Sequence, residues 1–198
     1  MCQITSNEVA VVVNENDKHE VQFVSVNDGR LVMGTKLEFQ HPCFGIARNK
    51  KDLYLTSGTA LYKYSISGTR LNKLYKDTTA GTTVSKCAVS PSGDRIFVTN
   101  PNQNTVLTLA RDGTVLHIFT HPDLQTPSGI HVTAKGQVLV CGRASFNVLQ
   151  LDGEGKKKLA TTLKTDDCSP LAVFYNESTA SIIVGSYHLN HILVFKVQ

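Results

Sequence analysis

In residues 129–140, GIHVTAKGQVLV, two short apolar runs flank a polar turn. The first run is 130–132 and the second is 138–140. Short runs rich in β-branched residues, separated by a turn that contains glycine, are typical of paired antiparallel strands. The stretch therefore predicts a β-hairpin, and variants of the same phrase occur along the whole chain.

The phrase recurs at a fixed period. Its second run has counterparts whose central residues are 43, 43, 42 and 44 residues apart, namely Val11, Tyr54, Phe97, Leu139 and Ile183. Self-similarity at a constant spacing of this length is the sequence signature of a repeat architecture.

Each unit contains four strand candidates. A first run precedes the one just described, at 3–5, 45–47, 87–89, 130–132 and 171–173, and a third follows a polar loop, at 21–23, 61–64, 106–109, 148–151 and 192–195. Turn signals such as Asp112-Gly113 and a more polar run such as 114–119 close the unit. Four short antiparallel strands in about 40 residues predict an all-β propeller with four-stranded blades.

The period divides the chain into five blades of one propeller domain. Their approximate bounds are 1–41, 42–82, 83–126, 127–168 and 169–198, and the fifth unit stops after its third strand. This pattern predicts either an open ring or a fragment of a six-bladed ring. The exposed apolar faces of the two terminal blades would then favour a homo-oligomer.

Composition limits the possible classes. The chain has 198 residues, a formal charge of +4 and five cysteines in or beside apolar runs. An odd number of such cysteines predicts reduced thiols and a cytoplasmic location. Neither a membrane-spanning apolar stretch nor a signal-peptide pattern occurs, so we expect a soluble chain without membrane contact. The modest positive charge permits a nucleic-acid partner without requiring one.

Several motifs resemble a known family. Asn104, Asn147 and Asn190 begin the third strands at intervals of 43 residues, Asp-Gly pairs precede the fourth strands, and proline–glycine–isoleucine phrases occur at 42–46 and 127–130. Together they resemble NHL repeats, in particular the C-terminal propeller of tripartite-motif (TRIM) ubiquitin ligases and their invertebrate relatives. The resemblance implies a domain that recruits a protein client or RNA for a larger protein. The RING zinc clusters of such ligases are not present in this sequence.

Catalytic chemistry is not predicted. A calcium-dependent lactonase-type propeller, the third alternative, would need several carboxylates at the mouths of the innermost strands. Those positions hold Gln3, Gly45, Lys86, Gly129 and Pro170. The histidine pairs His117/His121 and His188/His191 fall at strand ends and in loops, where satisfied polar histidines are the commoner case. We therefore expect a binding module with no catalytic residue, metal site or cofactor.

Recognition is the remaining possibility. In a propeller, the loops between second and third strands and the inter-blade segments share one rim. The exposed planar, aromatic and charged groups expected there, which we predict to bind a partner, are Lys18, Asn102, Arg143, Phe146, Tyr187 and His188. We expect the three repeated asparagines to brace their own turns. Because the rim carries charges of both signs, a protein or peptide client is favoured over single-stranded or structured RNA, which stays the alternative.

Overall fold

A computed structural model describes residues 1–164, 168–187 and 189–197, and its regular elements there are β-strands. The first sheet contains β1 (Cys2–Gln3), β2 (Glu8–Glu15), β3 (Lys18–Asn27) and β4 (Arg30–Glu38). The second contains β5 (Gly45–Asn49), β6 (Asp52–Thr56), β7 (Ala60–Ser65) and β8 (Arg70–Lys76). The third contains β9 (Cys87–Val89), β10 (Arg95–Asn100), β11 (Thr105–Ala110) and β12 (Val115–Thr120). The fourth contains β13 (Pro127–Val132), β14 (Val138–Gly142), β15 (Asn147–Leu151) and β16 (Lys158–Lys164). The fifth contains β17 (Pro170–Asn176), β18 (Ser181–Ser186) and β19 (Leu193–Lys196).

Each sheet is a meander in which consecutive strands are neighbours. The pairing is antiparallel, as in the β14–β15 hairpin, where Gly142 lies opposite Asn147. The fold is therefore an all-β propeller of four-stranded blades, and the described part of the fifth blade has three strands. This confirms the fold predicted from the period. The described residues form no helix with the length and apolar character needed to cross a bilayer.

The chain divides into two compact units, Met1–Cys87 and Ala88–Gln198. In the first unit, apolar residues of the first two sheets share one core, which includes Ala10, Val21, Ile46 and Leu53. Alternate residues of each strand point to the same face of a sheet, so each sheet contributes the residues of one face to this core.

Among the described residues of the second unit, hydrophobic packing joins neighbouring sheets in two places. One core joins Phe97 and Val106 of the third sheet to Val140 and Leu149 of the fourth. The other joins the opposite face of the fourth sheet, including Leu139 and Val148, to the fifth sheet. The fourth sheet is thus packed on both faces, which explains why its middle strands are apolar at nearly every position.

The register of the first repeat differs by one residue from the sequence prediction. Ala10 is fully buried in the core between the first and second sheets, whereas Val11 is only partly buried. Phe97 and Leu139 occupy the equivalent face of their own sheets, toward the sheet that follows. The alignment on Val11 is therefore wrong by one position. Because side chains alternate between the two faces, a slip of one residue exchanges those faces.

Two glycines at innermost strands allow neighbouring backbone to approach closely. A Cβ at Gly129 would lie 2.6 Å from the Leu171 carbonyl oxygen and 2.7 Å from the Ala172 Cα atom. A Cβ at Gly45 would lie 2.9 Å from the Lys86 Cα atom. Real Cβ atoms are not found so close to backbone atoms, so only glycine fits. This packing accounts for the glycine in the proline–glycine–isoleucine phrases.

The five cysteines are reduced thiols, as predicted. Cys43, Cys87, Cys141 and Cys168 are buried, and Cys2 is partly buried. Burial raises the pKa of Cys43 and of Cys87 to about 12, since the thiolate would lose its hydration. These thiols therefore act as small apolar groups of the core.

Candidate partner-binding surface

The loop between β14 and β15 is held by the segment that joins the third sheet to the fourth. The Arg143 backbone N–H donates to the Thr126 carbonyl oxygen at 3.2 Å, and the Ala144 N–H donates to the Gln125 carbonyl oxygen at 3.1 Å. The Gln125 N–H in turn donates to Ser145 Oγ at 3.1 Å. Backbone groups on both sides are satisfied, so the loop has a defined conformation.

Two asparagines fix the same joining segment. The Asn147 side-chain amide donates to the Asp123 carbonyl oxygen at 2.7 Å. Asn104 donates to Gln125 Oε1 at 2.9 Å and accepts from the Thr126 N–H at 2.7 Å. These bonds reach beyond the asparagines' own turns, which the sequence did not predict, whereas Asn147 Oδ1 also accepts from Ser145 Oγ at 3.1 Å within its own turn, as predicted. A short connecting segment has no ladder partners of its own, and side-chain amides from neighbouring loops supply them.

In the first compact unit, Asn14 fixes a joining segment in the same way, a role that was not predicted from the sequence. Its amide nitrogen donates to the Cys43 carbonyl oxygen at 2.6 Å, and its Oδ1 accepts from the Cys43 N–H at 2.9 Å. Asn14 lies in β2, just after the apolar run, so an amide at the end of a second strand is the signal that could have identified it.

The repeated asparagines are not structurally equivalent. Asn100 pairs with Thr105 in one hairpin and Gly142 pairs with Asn147 in the next, so Asn104 corresponds to Phe146. Both residues are left-handed, with φ of 55° for Asn104 and 53° for Phe146. Asparagine tolerates this region, whereas a bulky aromatic residue rarely adopts it. The surroundings therefore hold Phe146 in a strained conformation, and its side chain is 39% exposed.

Arg143 and Tyr187 come together from consecutive sheets. The guanidinium carbon of Arg143 lies 5.3 Å from the centroid of the Tyr187 ring, a cation–π contact. Tyr187 follows β18 and is 62% exposed, and its backbone N–H donates to the Ser169 carbonyl oxygen at 3.1 Å. The structure thus brings together two of the residues predicted to bind a partner. We refer to Arg143, Phe146 and Tyr187 as the loop surface.

Two of the other predicted residues, Asn102 and Lys18, lie on other elements. Asn102 is exposed in the turn between β10 and β11. Lys18 is exposed at the start of β3, in the first compact unit. His188 lies outside the described residues. The loop surface therefore contains half of the predicted set.

Charges next to this loop are of both signs and partly paired. Lys158 forms an ion pair with Asp123, whose pKa is lowered chiefly by the hydrogen bond from the lysine. The Asp123 backbone N–H donates to His121 Nδ1 at 3.1 Å. Pairing of this kind reduces the positive field that a phosphate backbone would meet.

Lys86 is the charged residue among those predicted at the mouths of the innermost strands. Lys86 donates from its ammonium group to the Phe44 carbonyl oxygen, and burial lowers the pKa of this lysine. Within the described ranges, no three side chains of His, Cys, Asp or Glu gather as a metal site would need.

No family model and no curated protein matches the chain. Solved structures do. A chain of the nidogen/laminin complex is 15% identical, with a TM-score of 0.70, covering 91% of this chain and 70% of that one. The computationally designed Ika4 protein is 12% identical, with a TM-score of 0.61, covering 81% of this chain and 94% of its own. At such identities the likeness shows the β-propeller fold alone. The NHL and TRIM assignment made from the sequence has no matching family model.

Proposed function

We propose that the chain is a recognition module that binds a peptide or protein client at the loop surface. The observation that carries the proposal is the exposed cation–π pair of Arg143 and Tyr187, together with the exposed Phe146 in the same loop as Arg143. Arginine and tyrosine are the residues most enriched among those that dominate binding energy at protein interfaces. Phe146, a strained and exposed aromatic residue in the same loop as Arg143, fits the same role.

The rigidity of the loop supports this function. Residues 143–145 bond to Gln125 and Thr126, and Asn147 bonds to Asp123, so the chain's own contacts fix this loop. A surface that is already ordered loses less conformational entropy when a client binds. We therefore expect binding without a large rearrangement of this loop.

RNA is the second candidate. An arginine stacked on an exposed tyrosine can also serve as a platform for an unpaired base. The ion pair between Lys158 and Asp123 argues against it, because RNA affinity depends largely on unpaired cations near phosphates.

We further propose a narrower role from the resemblance to NHL repeats, which is recruitment of a client to a TRIM-type ubiquitin ligase in the cytoplasm. In this proposal the chain binds and does not catalyse. A propeller of similar fold occurs in a complex with laminin, which is consistent with protein recognition by this architecture. The identity of that partner is specific to that complex.

The test is selection of binders from a displayed library of random twelve-residue peptides, followed by fluorescence anisotropy with the selected peptide. We expect Phe146→Ala and Tyr187→Ala each to weaken binding at least tenfold, since hot-spot truncations commonly cost that much. Leu116→Ala, at an exposed apolar position in β12, is the matched control and should leave affinity unchanged.

A second variant tests the contribution of the Phe146 ring separately from that of its backbone conformation. Phe146→Asn places a residue that accepts φ near 53° and removes the aromatic side chain, so it should bind as weakly as Phe146→Ala. Selected peptides that are indifferent to all these substitutions would contradict the proposal. Tight binding of a mixed-sequence single-stranded RNA that weakens about a thousandfold from 50 to 200 mM salt would favour the second candidate instead.

A further inference from the structure

A cavity of about 250 Å³ lies between the third and fourth sheets, within the second compact unit. The residues that the fourth sheet contributes belong to the turn after β15, whereas Phe146 of the loop surface precedes β15. The cavity and the loop surface are therefore at opposite ends of this strand. The residues that line the cavity are Arg95, Thr108, Leu116, Glu154 and Lys156.

The turn that forms one wall of the cavity is fixed by the third sheet. Thr108 Oγ1 donates to the Glu154 carbonyl oxygen at 3.1 Å, and the Gly155 N–H donates to the Asp152 carbonyl oxygen at 3.0 Å. Gly155 has a φ of 68°, and a Cβ there would lie 3.1 Å from the Phe97 ring and closer still to Thr108. Glycine thus lets the turn pack on the neighbouring sheet, and the wall has a defined shape.

Arg95 lines the cavity without a close bond to the carboxylates beside it. Its Nη1 atom lies 3.6 Å from Asp94 Oδ2, and its Nη2 atom lies 3.9 Å from Glu154 Oε1. Both distances exceed the roughly 2.7–3.2 Å of an N–H···O hydrogen bond. The guanidinium is therefore attracted to both carboxylates, but its N–H groups are not committed to either.

Both carboxylates have nearer donors. Ser90 Oγ donates to Asp94 Oδ1 at 2.7 Å, Ser92 Oγ donates to the same oxygen, and these bonds lower the pKa of Asp94. The Lys156 ammonium lies 2.7 Å from Glu154 Oε2, and this bond lowers the pKa of Glu154. Neither carboxylate depends on the arginine, so its planar set of donors can serve a ligand.

The apolar wall of the cavity is a bulged residue. Thr108 pairs with His117 and Leu109 pairs with Val115, so Leu116 is the extra residue of β12 between these two pairs. Its side chain is 50% exposed. A β-bulge changes the direction of a side chain, and here it accompanies the placement of a leucine in a cavity that also contains an arginine.

The charge and the size of the cavity limit what it can hold. Two cations, Arg95 and Lys156, and one carboxylate, Glu154, leave one positive charge among the lining residues. A single negative charge balances it, whereas a dianionic phosphate would be repelled more strongly by the neighbouring carboxylates. Cavities for drug-sized ligands have about 300–1,000 Å³, so this smaller one suits a single residue.

We propose that this cavity binds the C-terminal residue of a partner protein. The α-carboxylate of that residue accepts two parallel hydrogen bonds from the Arg95 guanidinium, and its aliphatic side chain packs on Leu116. Guanidinium and carboxylate are both planar and match each other in this two-bond geometry. A chain end carries the acid and the side chain on one residue and does not have to leave the cavity again, which fits the volume.

The proposal goes beyond the function assigned to the loop surface, because it concerns a different site with different residues. Neither proposal requires the other. A variant of the loop surface is therefore a control for this cavity.

The experiment is an anisotropy titration of the whole chain with peptides that carry fluorescein at the N-terminus. The test peptide is Gly-Ser-Thr-Ser-Thr-Leu with a free carboxylate, and the matched control is the same peptide with a C-terminal amide. We expect the amide to bind about tenfold more weakly, since hydrogen bonds to charged groups contribute on that scale. A final serine in place of leucine should weaken binding roughly fivefold, because it removes the apolar contact.

Variants of the chain assign these effects to residues. Arg95→Met should abolish the difference between acid and amide, whereas Arg111→Met, at an exposed arginine of the same sheet, should preserve it. Leu116→Ser should weaken binding of the leucine peptide and leave the serine peptide unchanged. Tyr187→Ala should bind the test peptide as the parent chain does. Circular dichroism of each variant checks the fold, and the comparison of peptides on the unaltered chain tests the proposal independently of any variant.

Three results would overturn the proposal. Equal binding of acid and amide would show that the α-carboxylate is not recognised. A difference that persists in Arg95→Met would place the anion elsewhere. An amidated peptide with an internal aspartate that binds as tightly as the test peptide would assign the cavity to an internal acidic segment instead of a chain end.

Discussion

The fourth and fifth sheets have the same apolar pattern in different surroundings. Leu139 and Val148 of the fourth sheet are buried against the fifth, whereas their counterparts Ile183 and Ile192 are partly and largely exposed. The side chains are alike in size and polarity. The difference shows that a propeller sequence encodes a face able to pack, and that burial depends on whether another strand or sheet covers it.

The largest effect is expected at the contact between the innermost strands of these two sheets. Gly129→Ala would place a methyl group 2.6 Å from the Leu171 carbonyl oxygen, which requires the strands to separate. We expect a loss of about 3 kcal/mol in the free energy of unfolding, in the upper range for overpacking. Urea denaturation followed by circular dichroism measures it.

Gly185→Ala is the matched control, because its added Cβ would meet the Ala172 side chain at an ordinary 3.7 Å. It should change stability by less than about 0.5 kcal/mol. A similar loss in both variants would show that the close approach at Gly129 is not what requires glycine.

The next effect compares equivalent residues directly. Val148→Ala should cost about 2 kcal/mol, because it removes two methyl groups from a closed core, while Ile192→Ala should cost less than about 0.5 kcal/mol. Denaturation midpoints of the two variants provide the measurement. A large loss for Ile192→Ala would mean that this residue is covered in solution.

The smallest effect is a pH dependence of stability. It comes from His131, whose ring contacts Phe174 between the fourth and fifth sheets. His131 in β13 packs on Phe174 in β17 with ring centroids 4.8 Å apart. Burial lowers the pKa of His131 from 6.5 to about 4, and the negative charge of Glu177 opposes this shift. The unfolded chain therefore binds the proton first, so the stabilising contribution is complete above pH 6.5 and decreases as the pH falls from 6.5 to 4.

Between pH 7 and pH 4.5, the contribution of His131 should fall by about 2 kcal/mol, given about 1.4 kcal/mol for each unit of pKa difference. His131→Gln cannot titrate, so its free energy of unfolding should decrease less over the same range. The difference between the two pH profiles isolates this residue from the carboxylates. Parallel profiles would place His131 in contact with water.

The strands and their order could be predicted because buried middle strands require apolar runs, and a repeat of 42 to 44 residues makes those runs easy to identify. The sequence did not show, for every strand, which residues point to which face of the sheet. Ala10 and Val11 belong to one continuous apolar run, so alternation gives no signal to show which of them faces the next sheet.

The loop surface could be predicted from the sequence only in part. Arg143, Phe146 and Tyr187 could be assigned to loops from the pattern, but the contact between Arg143 and Tyr187 depends on how two sheets pack. The asparagine spacing of 43 residues differs by one from the structural spacing of 42 between Asn104 and Phe146, and a difference so small cannot be recognised without the hairpin register.

The chemical reactivity of the buried thiols can report partial unfolding of the protein. Cys2, Cys43, Cys87, Cys141 and Cys168 lie at or near different sheets, and most are closed to solvent in the folded chain. An alkylating reagent reacts only with an exposed thiolate, so brief labelling under mild denaturant followed by peptide mapping would record the sequence in which the blades come apart.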